Sequence, residues 1–283
     1  MTATSRTIRV GLLGRGIEAS SSPAIHECEA EAQGLGLSYE LFDFDQLGLP
    51  DTALGSQLAQ LAEEGFAGTN VTHPFKQAVI PLLDEIDPTA RALGAVNCVR
   101  FKGRRVIGSN SDWIGFTFLL DDGLPKAHRK VVAQVGAGGA GSATAYSLIA
   151  TGTAELRLHD QSADQVATLS ARLQTAFPDA VIIVCGSPDE AISGADGVVQ
   201  ATPVGMAEHP GMPFDPALLR LHQWLAEVIY FPRETELLRA ARQRGLATAD
   251  GTAMVIGQAA EAFRLFTGVE PDRSRMLARL RRT

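Results

Sequence analysis

Short apolar runs rich in β-branched residues alternate along this chain with segments whose apolar residues recur at helical spacing. Eight of the runs have the length and the bounds of buried strands, and they cover residues 8–13, 38–44, 66–70, 131–135, 155–159, 181–185, 197–201 and 224–229. Strands that alternate with helix-length segments indicate βαβ units and parallel sheet, so the pattern predicts an α/β fold. After the last run, residues 252–266 carry apolar side chains at helical spacing, and a second helix closes the chain.

The chain has 283 residues, about twice the length of a typical domain, which favours two domains. A polar stretch between Leu120 and Lys130 contains glycine and proline, both helix stop signals, and a new apolar strand follows it at once. We place the domain boundary there, after residue 120.

Composition and charge exclude several classes of protein. Hydrophobic residues make up 45% of the chain and charged residues 20%, and no apolar run is long enough to span a membrane. The net charge of -7 without a basic cluster argues against nucleic-acid binding. The N-terminus lacks the features of a secretory signal, so we expect a cytoplasmic protein, and a homodimer is compatible with the sequence. Three scattered cysteines and six histidines without ligand spacing predict reduced thiols and no metal site.

A glycine-rich turn of the form G-x-G-x-x-G follows the predicted strand 131–135 and precedes a helical pattern. Its first glycine permits the tight turn, its second lets a pyrophosphate approach the backbone, and its third lets helix and strand pack closely. An aspartate ends the next strand about 20 residues later, where an acid would bind the adenosine ribose. The pattern predicts a dinucleotide site formed by Gly136, Ala137, Gly138, Gly139, Ala140, Gly141 and Asp160.

Asp160 also bears on which dinucleotide binds. A carboxylate accepts hydrogen bonds from the ribose hydroxyls of NAD but repels the 2'-phosphate of NADP, and residues 159–162 contain no arginine. We therefore predict that NAD is preferred over NADP. Some methyltransferases also pair a glycine loop with an acid on the next strand, so the loop by itself leaves that alternative open.

Three polar clusters in the first domain each lie just beyond a predicted strand, where open α/β sheets place ligands. They are Ser20-Ser-Ser-Pro23, Asn70-Val-Thr-His-Pro-Phe-Lys76, and Gly94-Ala-Val-Asn97 continuing through a hairpin to Asn110-Ser-Asp112. Taken singly, the serines and Asp112 are more typical of helix caps, and a single lysine carries no functional signal.

Taken together, the clusters resemble the shikimate dehydrogenase family, and in particular its NAD-preferring quinate/shikimate dehydrogenase branch. The resemblance covers nearly the whole chain, because ordered matches continue with the glycine loop and with residues 201–206, 228–238 and 250–258. It implies two α/β lobes around a cleft, with a substrate domain at residues 1–120 and a Rossmann domain at residues 121–250. The C-terminal residues 251–283 are implied to pack back onto the first lobe.

The resemblance also implies a role for each matched residue. The reacting pair would be Lys76 and Asp112. Contacts to the substrate would come from Ser20, Ser22, Thr72, Asn97, Tyr230 and Gln258. The cofactor side of the site would include Thr202, Val204, Met206, Val228, Gly251 and Met254.

The implied reaction is the reversible NAD(P)-dependent oxidation of shikimate to 3-dehydroshikimate, with quinate as a further substrate. Removing a hydride from a secondary alcohol leaves a hydroxyl proton, which needs a base in oxidation and an acid in reduction. Ala19 and Cys98 depart from the common family pattern and alter the expected pocket wall, which leaves substrate preference open. A paralogue acting on quinate or an amino-substituted shikimate, or a catalytically silent NAD-binding sensor, are the alternatives.

Overall fold

The computed structural model describes residues 7–282, and the chain forms two compact units. The first unit runs to Ser111 and resumes at Ala259, and the second unit is Asp112–Gln258. Each unit contains its own six-stranded sheet with helices, so the predicted α/β fold class is confirmed. The units divide after Ser111 and after Gln258, whereas the predicted domain boundaries were after residues 120 and 250.

The first unit is built on a mixed sheet with strand order β2-β1-β3-β5-β6-β4. Strand β1 pairs in parallel with β2 and β3, whereas β5 is antiparallel to both β3 and β6. The strands are β1 Ile8–Gly14, β2 Leu37–Asp43, β3 Gly68–Val71, β4 Glu85–Ile86, β5 Cys98–Lys102 and β6 Arg105–Ser109. The helices that lie wholly in this unit are α1 Ser22–Ala32, α2 Leu54–Glu63, α3 Phe75–Ala78, α4 Pro88–Leu93 and α11 Arg273–Leu280.

The second unit is built on a fully parallel sheet with strand order β12-β11-β10-β7-β8-β9. The strands are β7 Val131–Val135, β8 Glu155–His159, β9 Val181–Val184, β10 Gly197–Gln200, β11 Trp224–Glu227 and β12 Ala247–Ala249. The helices are α5 Asp112–Gly123, α6 Gly139–Ala150, α7 Ala163–Ala176, α8 Pro188–Ile192, α9 Glu236–Gln243 and α10 Thr252–Thr267, the last of which continues into the first unit. Short 3₁₀ turns occur at Asp51–Ala53, Ile80–Leu82 and Pro216–Leu218.

The order of the parallel strands reverses between β7 and β10, and this reversal creates the crevice where open α/β sheets bind ligands. All residues of β10 and β11 are buried, as expected for central strands covered by helices on both faces. The eight predicted strands are confirmed, and the predicted hairpin is β5–β6. Two strands, β4 and β12, were not predicted, because two or three residues are too few to form a recognisable hydrophobic period.

An ion pair between the half-exposed Arg275 and the buried Glu29 links the C-terminal helix α11 to α1 in the first unit. Arg275 donates to the two carboxylate oxygens of Glu29 at 2.6 and 3.0 Å, and the Asp272 N–H donates to Glu29 at 2.8 Å. Burial raises the pKa of Glu29, but the hydrogen bonds from Arg275, Asp272 and Gln33 outweigh it and lower the pKa overall.

Within residues 7–282, no helix combines the length and the apolar character that a membrane crossing requires. In the same part of the chain, no three His, Cys, Asp or Glu side chains are placed to hold a metal ion. Cys28, Cys98 and Cys185 are free thiols. Burial raises the pKa of Cys98 to about 12, which keeps this thiol protonated and unreactive.

Candidate active site

The loop that carries Ser20 follows β1 and is held by the carboxylate of Asp43 at the end of β2. Asp43 accepts hydrogen bonds from the backbone N–H groups of Ile17 at 2.8 Å and Gly16 at 3.2 Å. Burial raises the pKa of Asp43, but these backbone donors outweigh it and lower the pKa overall. The Ser20 N–H donates to the Ile17 carbonyl at 2.9 Å, and Ser20 Oγ accepts from the Ser22 N–H at 3.3 Å. Asp43 therefore fixes the loop that leads into the predicted substrate serines.

Ser22 is the first residue of α1 and joins a largely buried polar network. Its hydroxyl is hydrogen-bonded to the phenol of Tyr39, which donates to Asn70 Oδ1 at 2.9 Å. Burial raises the pKa of Tyr39, so the phenol stays neutral and acts as a donor. Asn70 donates from Nδ2 to the Asn97 carbonyl at 3.1 Å. Side chains from α1, β2 and β3 therefore meet in one network.

The buried side chain of Asn97, which precedes β5, is bound to Ser111. Asn97 Nδ2 donates to Ser111 Oγ at 3.1 Å, and Asn97 Oδ1 accepts from the Ser111 N–H at 2.8 Å. Asp112 follows Ser111 directly in the chain. Asn97 therefore holds the start of the segment that carries Asp112, while a contact between Asn97 and the substrate stays a prediction.

Thr72 and Lys76 lie beyond the carboxyl end of β3. The Thr72 N–H donates to the Leu13 carbonyl of β1 at 2.9 Å, and the Thr72 carbonyl accepts from the Phe75 N–H at 2.8 Å. Lys76 lies on α3, and its carbonyl accepts from the Val96 N–H at 2.8 Å. Both side chains are half-buried. The backbone around Lys76 is thus tied to β1 on one side and to the segment before β5 on the other.

The glycine loop connects β7 to α6 in the second unit. Gly136 has a φ of +111°, and a Cβ there would lie 2.6 Å from the carbonyl carbon of Ala201 at the end of β10. A Cβ on Gly141 would lie 2.4 Å from the Gly136 carbonyl oxygen. In contrast, a Cβ on Gly138 or Gly139 would meet nothing within 4 Å. Helix–strand packing requires the two outer glycines, whereas the two inner glycines border open space that suits a phosphate group.

Asp160 follows β8 and is bound to the glycine loop. Its Oδ2 accepts from the Ala137 N–H at 2.7 Å, and its Oδ1 accepts from the Ser162 N–H at 2.8 Å. An ionised carboxylate can accept about four hydrogen bonds, so ribose hydroxyls could use the lone pairs that these two donors leave. The side chain is half-buried, which is compatible with this use.

The loop that follows β10 carries Thr202, Val204 and Met206 and is held by Gln200, the last residue of that strand. Gln200 Oε1 accepts from the Thr202 N–H at 2.5 Å, and Gln200 Nε2 donates to the Val204 carbonyl at 2.8 Å. A Cβ on Gly136 would lie 2.8 Å from the Thr202 nitrogen. The β10 loop therefore lies directly beside the glycine loop, on the other side of the strand-order reversal.

Val228 and Gly251 join the same end of the sheet. The Val228 N–H donates to the Gln200 carbonyl at 3.2 Å, and the Gly251 N–H donates to the Ile229 carbonyl at 2.9 Å. Tyr230 follows with 54% of its surface exposed, so its side chain is accessible to a ligand.

Asp112 begins α5 and is only 5% exposed. The backbones of α5 and α10 pack in direct contact at Gly115. A Cβ on Gly115 would lie 2.4 Å from the Met254 carbonyl oxygen and 3.2 Å from Gln258 Cβ, which is too close for any other residue. A Cβ on Gly257 would lie 2.7 Å from Gly115 Cα. Glycine at both positions lets the two backbones touch. A directly packed helix pair therefore carries Asp112, Met254 and Gln258.

Each unit thus assembles its own part of the predicted site. The first unit brings together the serine loop, the Asn70–Lys76 segment and Asn97. The second unit gathers the glycine loop, Asp160 and the ends of β10 and β11. Lys76 belongs to the first unit and Asp112 is the first residue of the second, so their pairing stays a prediction.

Three buried polar residues of the second unit were not identified from the sequence. Gln134, Gln200 and Glu227 each have 0% exposure and each lies at or next to the end of an otherwise apolar strand. A polar residue in that position of an apolar run is the signal that could have revealed them, because a buried polar group needs a hydrogen-bond partner.

Glu227 is the most unusual of the three. Its Oε2 accepts from Thr235 Oγ1 at 2.8 Å, and its buried Oε1 has no hydrogen-bond partner among residues 7–282. Burial raises the pKa of Glu227 to about 7, and the charge of Asp250 adds to the rise, while Thr235 and Arg242 oppose it.

Two family models match the chain. A model described as the shikimate dehydrogenase substrate binding domain matches residues 12–99, and one described as the shikimate 5'-dehydrogenase C-terminal domain matches residues 251–281. Both matches fall on segments that carry predicted site residues, including Lys76, Asn97 and Gln258.

Comparison with known proteins extends the similarity to nearly the full chain. A shikimate dehydrogenase (NADP(+)) from Streptomyces avermitilis is 48% identical over 97% of this chain and 95% of that protein. A quinate/shikimate dehydrogenase (NAD(+)) from Corynebacterium efficiens is 46% identical over 96% of this chain and 97% of that protein. The solved structure of quinate dehydrogenase from Corynebacterium glutamicum in complex with NAD aligns with a TM-score of 0.92 and 43% identity, over 98% of this chain and 99% of that one. The resemblance seen in the sequence is therefore confirmed at the level of the family.

Proposed function

The chain belongs to the shikimate dehydrogenase family, and from that premise we propose that this oxidoreductase catalyses the reversible NAD(P)-dependent oxidation of shikimate to 3-dehydroshikimate. We include the oxidation of quinate to 3-dehydroquinate as a second activity of the same site, since similar relatives carry both substrates in their names. We propose NAD as the preferred dinucleotide. Relatives of nearly equal identity are named for NAD and for NADP, so this preference rests on Asp160.

The geometry of the glycine loop is the observation that best supports dinucleotide binding by this chain. The outer glycines are required by contacts within the protein, whereas Gly138 and Gly139 border open space at the N-terminus of α6. The N–H groups of that helix end and its dipole favour a pyrophosphate. Asp160, bound to the same loop, has the position to accept hydrogen bonds from ribose hydroxyls.

When bound, the dinucleotide would supply the hydride acceptor for oxidation of the ring carbon and the hydride donor for reduction. In our proposal, the uncharged amine of Lys76 takes the proton of the reacting hydroxyl as the carbonyl forms, and the resulting ammonium group returns it in the reverse direction. Asp112 orients the ammonium group and balances its charge. Ser20, Ser22, Thr72, Asn97, Tyr230 and Gln258 hold the carboxylate and the other hydroxyls of the ring acid. Thr202, Val204, Met206, Val228, Gly251 and Met254 form the cofactor side.

Initial rates with shikimate and quinate, each measured with NAD and with NADP, test the proposal. We expect reduced dinucleotide to form with shikimate, at a higher kcat/KM for NAD than for NADP. Turnover of quinate or an amino-substituted shikimate alone would assign the chain to a paralogous activity. The absence of turnover with every ring acid and both dinucleotides would overturn the proposal and favour a silent sensor.

A cytoplasmic location and a homodimer are the remaining parts of the proposal. Cell fractionation and analytical ultracentrifugation of the purified protein test them separately from the enzymology.

A further inference from the structure

Gln134 is a fully buried polar side chain in the apolar strand β7, and every polar atom of its amide is hydrogen-bonded. Its Nε2 donates to the carbonyl of Gly136 at 2.8 Å and to that of Gly141 at 2.8 Å. Its Oε1 accepts from Thr144 Oγ1 at 2.8 Å. One amide therefore binds the first and the last glycine of the G-x-G-x-x-G loop, and a hydroxyl of α6 fixes the orientation of that amide.

The peptide between Gly136 and Ala137 is held from both sides. Its carbonyl oxygen accepts from Gln134 Nε2, and its N–H donates to Asp160 Oδ2 at 2.7 Å. The peptide unit is planar and rigid, so these two bonds set its orientation. Gly136 needs such a constraint, because a glycine with φ of +111° can reach many other conformations at little cost.

We propose that Gln134 is a positioning residue for the dinucleotide, because it orients the Gly136–Ala137 peptide and, through that peptide, the carboxylate of Asp160. The proposal rests on the function proposed above, in which the glycine loop binds pyrophosphate and Asp160 binds ribose. Gln134 itself is fully buried behind the loop, so it would act on the dinucleotide through the loop backbone and Asp160.

Packing alone does not account for a glutamine here. An apolar side chain of similar size would fill the same space in a buried strand without the desolvation of an amide. Such a residue would leave the Gly136 carbonyl without its donor, and the peptide could rotate away from Asp160. The expected consequence of replacing Gln134 is therefore a loss of cofactor affinity that exceeds the loss of stability.

Gln223 provides a matched control. It is buried in the same unit, and its Nε2 likewise donates to two backbone carbonyls, those of Ile192 and Ala195, at 2.9 Å each. Its Oε1 accepts from the Arg220 N–H at 2.7 Å. Gln223 immediately precedes β11, at the end of the sheet away from the glycine loop. Gln223→Met therefore removes the same kind of hydrogen bonds without touching the cofactor side.

The experiment measures the Kd of NADH and NADPH by fluorescence titration of the full chain, together with KM for shikimate, kcat and Tm. For Gln134→Met we expect Kd for NADH to rise about tenfold, as the loss of one or two net hydrogen bonds predicts. KM for shikimate and kcat at saturating cofactor should stay within about twofold of the wild type. Gln223→Met should lower Tm to a similar extent but leave Kd for NADH within about twofold. Equal Kd values for wild type and Gln134→Met, or equal changes in both variants, would overturn the inference.

Thr144→Val tests the inference if Gln134→Met does not fold. It removes the hydroxyl that orients the Gln134 amide while keeping the shape of the side chain, and we expect Kd for NADH to rise about threefold. Combining Gln134→Met or Thr144→Val with Asp160→Asn should raise Kd for NADH by less than the product of the two single increases. Non-additivity is expected because Gln134 and Asp160 bind the same Gly136–Ala137 peptide. Multiplicative increases in Kd for NADH would contradict a shared role of Gln134 and Asp160 at this peptide. A wild-type protein that binds neither dinucleotide would instead defeat the proposed function, so the two failures are distinguishable.

Discussion

The phenol of Tyr39 donates a hydrogen bond to Asn70 Oδ1 at 2.9 Å and is also bound to the hydroxyl of Ser22. Tyr39 is buried in β2, and it links the first residue of α1 to the end of β3. Ser22 and the segment that begins at Asn70 both belong to the proposed ring-acid site. Tyr39 therefore links two segments of the proposed ring-acid site without itself being a proposed substrate contact.

Tyr39→Phe should raise KM for shikimate by about three- to tenfold, since one net hydrogen bond is lost at each end of the network. The ring still fills its core position, so the change in Tm should be small. Kd for NADH serves as the internal control and should not change. An unchanged KM for shikimate would show that Ser22 and Asn70 are positioned without Tyr39.

Asp160→Ala should lower the ratio of kcat/KM for NAD to that for NADP by at least about tenfold. The variant loses the acceptor for the ribose hydroxyls and also the charge that repels a 2'-phosphate. Asp179→Asn, an exposed acid in the turn before β9, is the control for the loss of one carboxylate and should leave the ratio unchanged. A wild-type enzyme with the higher kcat/KM for NADP would contradict the assigned role of Asp160.

Lys76→Ala should lower kcat by about 10²–10⁴-fold with a smaller change in KM for shikimate, as expected for the loss of a general acid–base. Lys102→Ala removes an exposed lysine from the β5–β6 hairpin of the same unit and should leave both constants unchanged. Steady-state rates with saturating NAD give the comparison. Full activity of Lys76→Ala would refute its proton-transfer role.

Gly138→Ala and Gly141→Ala should separate cofactor binding from folding. A Cβ on Gly138 has no protein neighbour within 4 Å, so we expect an unchanged Tm but a raised Kd for NADH. A Cβ on Gly141 would lie 2.4 Å from the Gly136 carbonyl oxygen, so that variant should lose stability by about 1–3 kcal/mol. Thermal melts and NADH titrations of both variants check this, and equal Tm losses would contradict it.

Glu227→Gln should change how stability depends on pH. Burial raises the pKa of Glu227 from 4.5 to about 7, so the folded state holds this proton more tightly than the unfolded state. The free energy of unfolding of the wild type therefore falls as pH rises from about 4.5 to about 7, and this loss persists at higher pH. The shift corresponds to about 3 kcal/mol, and Arg242 and Asp250 are the charged groups that modulate it.

Urea unfolding at pH 5 and pH 8 measures the effect. Glu227→Gln should be more stable than the wild type at pH 8, and the difference should shrink or reverse at pH 5. Glu208→Gln, in the exposed loop after β10, is the control for the loss of a carboxylate. A stability difference that is equal at the two pH values would contradict a raised pKa at Glu227.

The sequence predicted those features that depend on residues close together in the chain. The eight strands follow from apolar runs of five to seven residues, as in Val131–Val135. The G-x-G-x-x-G turn was predicted from its own six residues, because Gly136 adopts a positive φ and Gly141 lets α6 approach the Gly136 carbonyl. Family resemblance then predicted the roles of Lys76 and Asp112, which neither spacing nor composition distinguishes from a surface lysine and a helix cap.

Tertiary structure decided which distant residues meet. Glu29 and Arg275 are 246 positions apart, and no local pattern relates them. Helix α10 begins in the second unit and ends in the first, and the division of the chain lies at Ser111 and Gln258, away from the polar linker. Gly115 and Gly257 let α5 approach α10 backbone to backbone, a contact that no local pattern predicts. Gln134, Gln200 and Glu227 find their hydrogen-bond partners only when the fold brings carbonyl, N–H and hydroxyl groups to the ends of their strands. Local spacing encodes secondary structure through steric and hydrophobic periodicity, whereas the partners of a buried polar group are set by the whole packed fold.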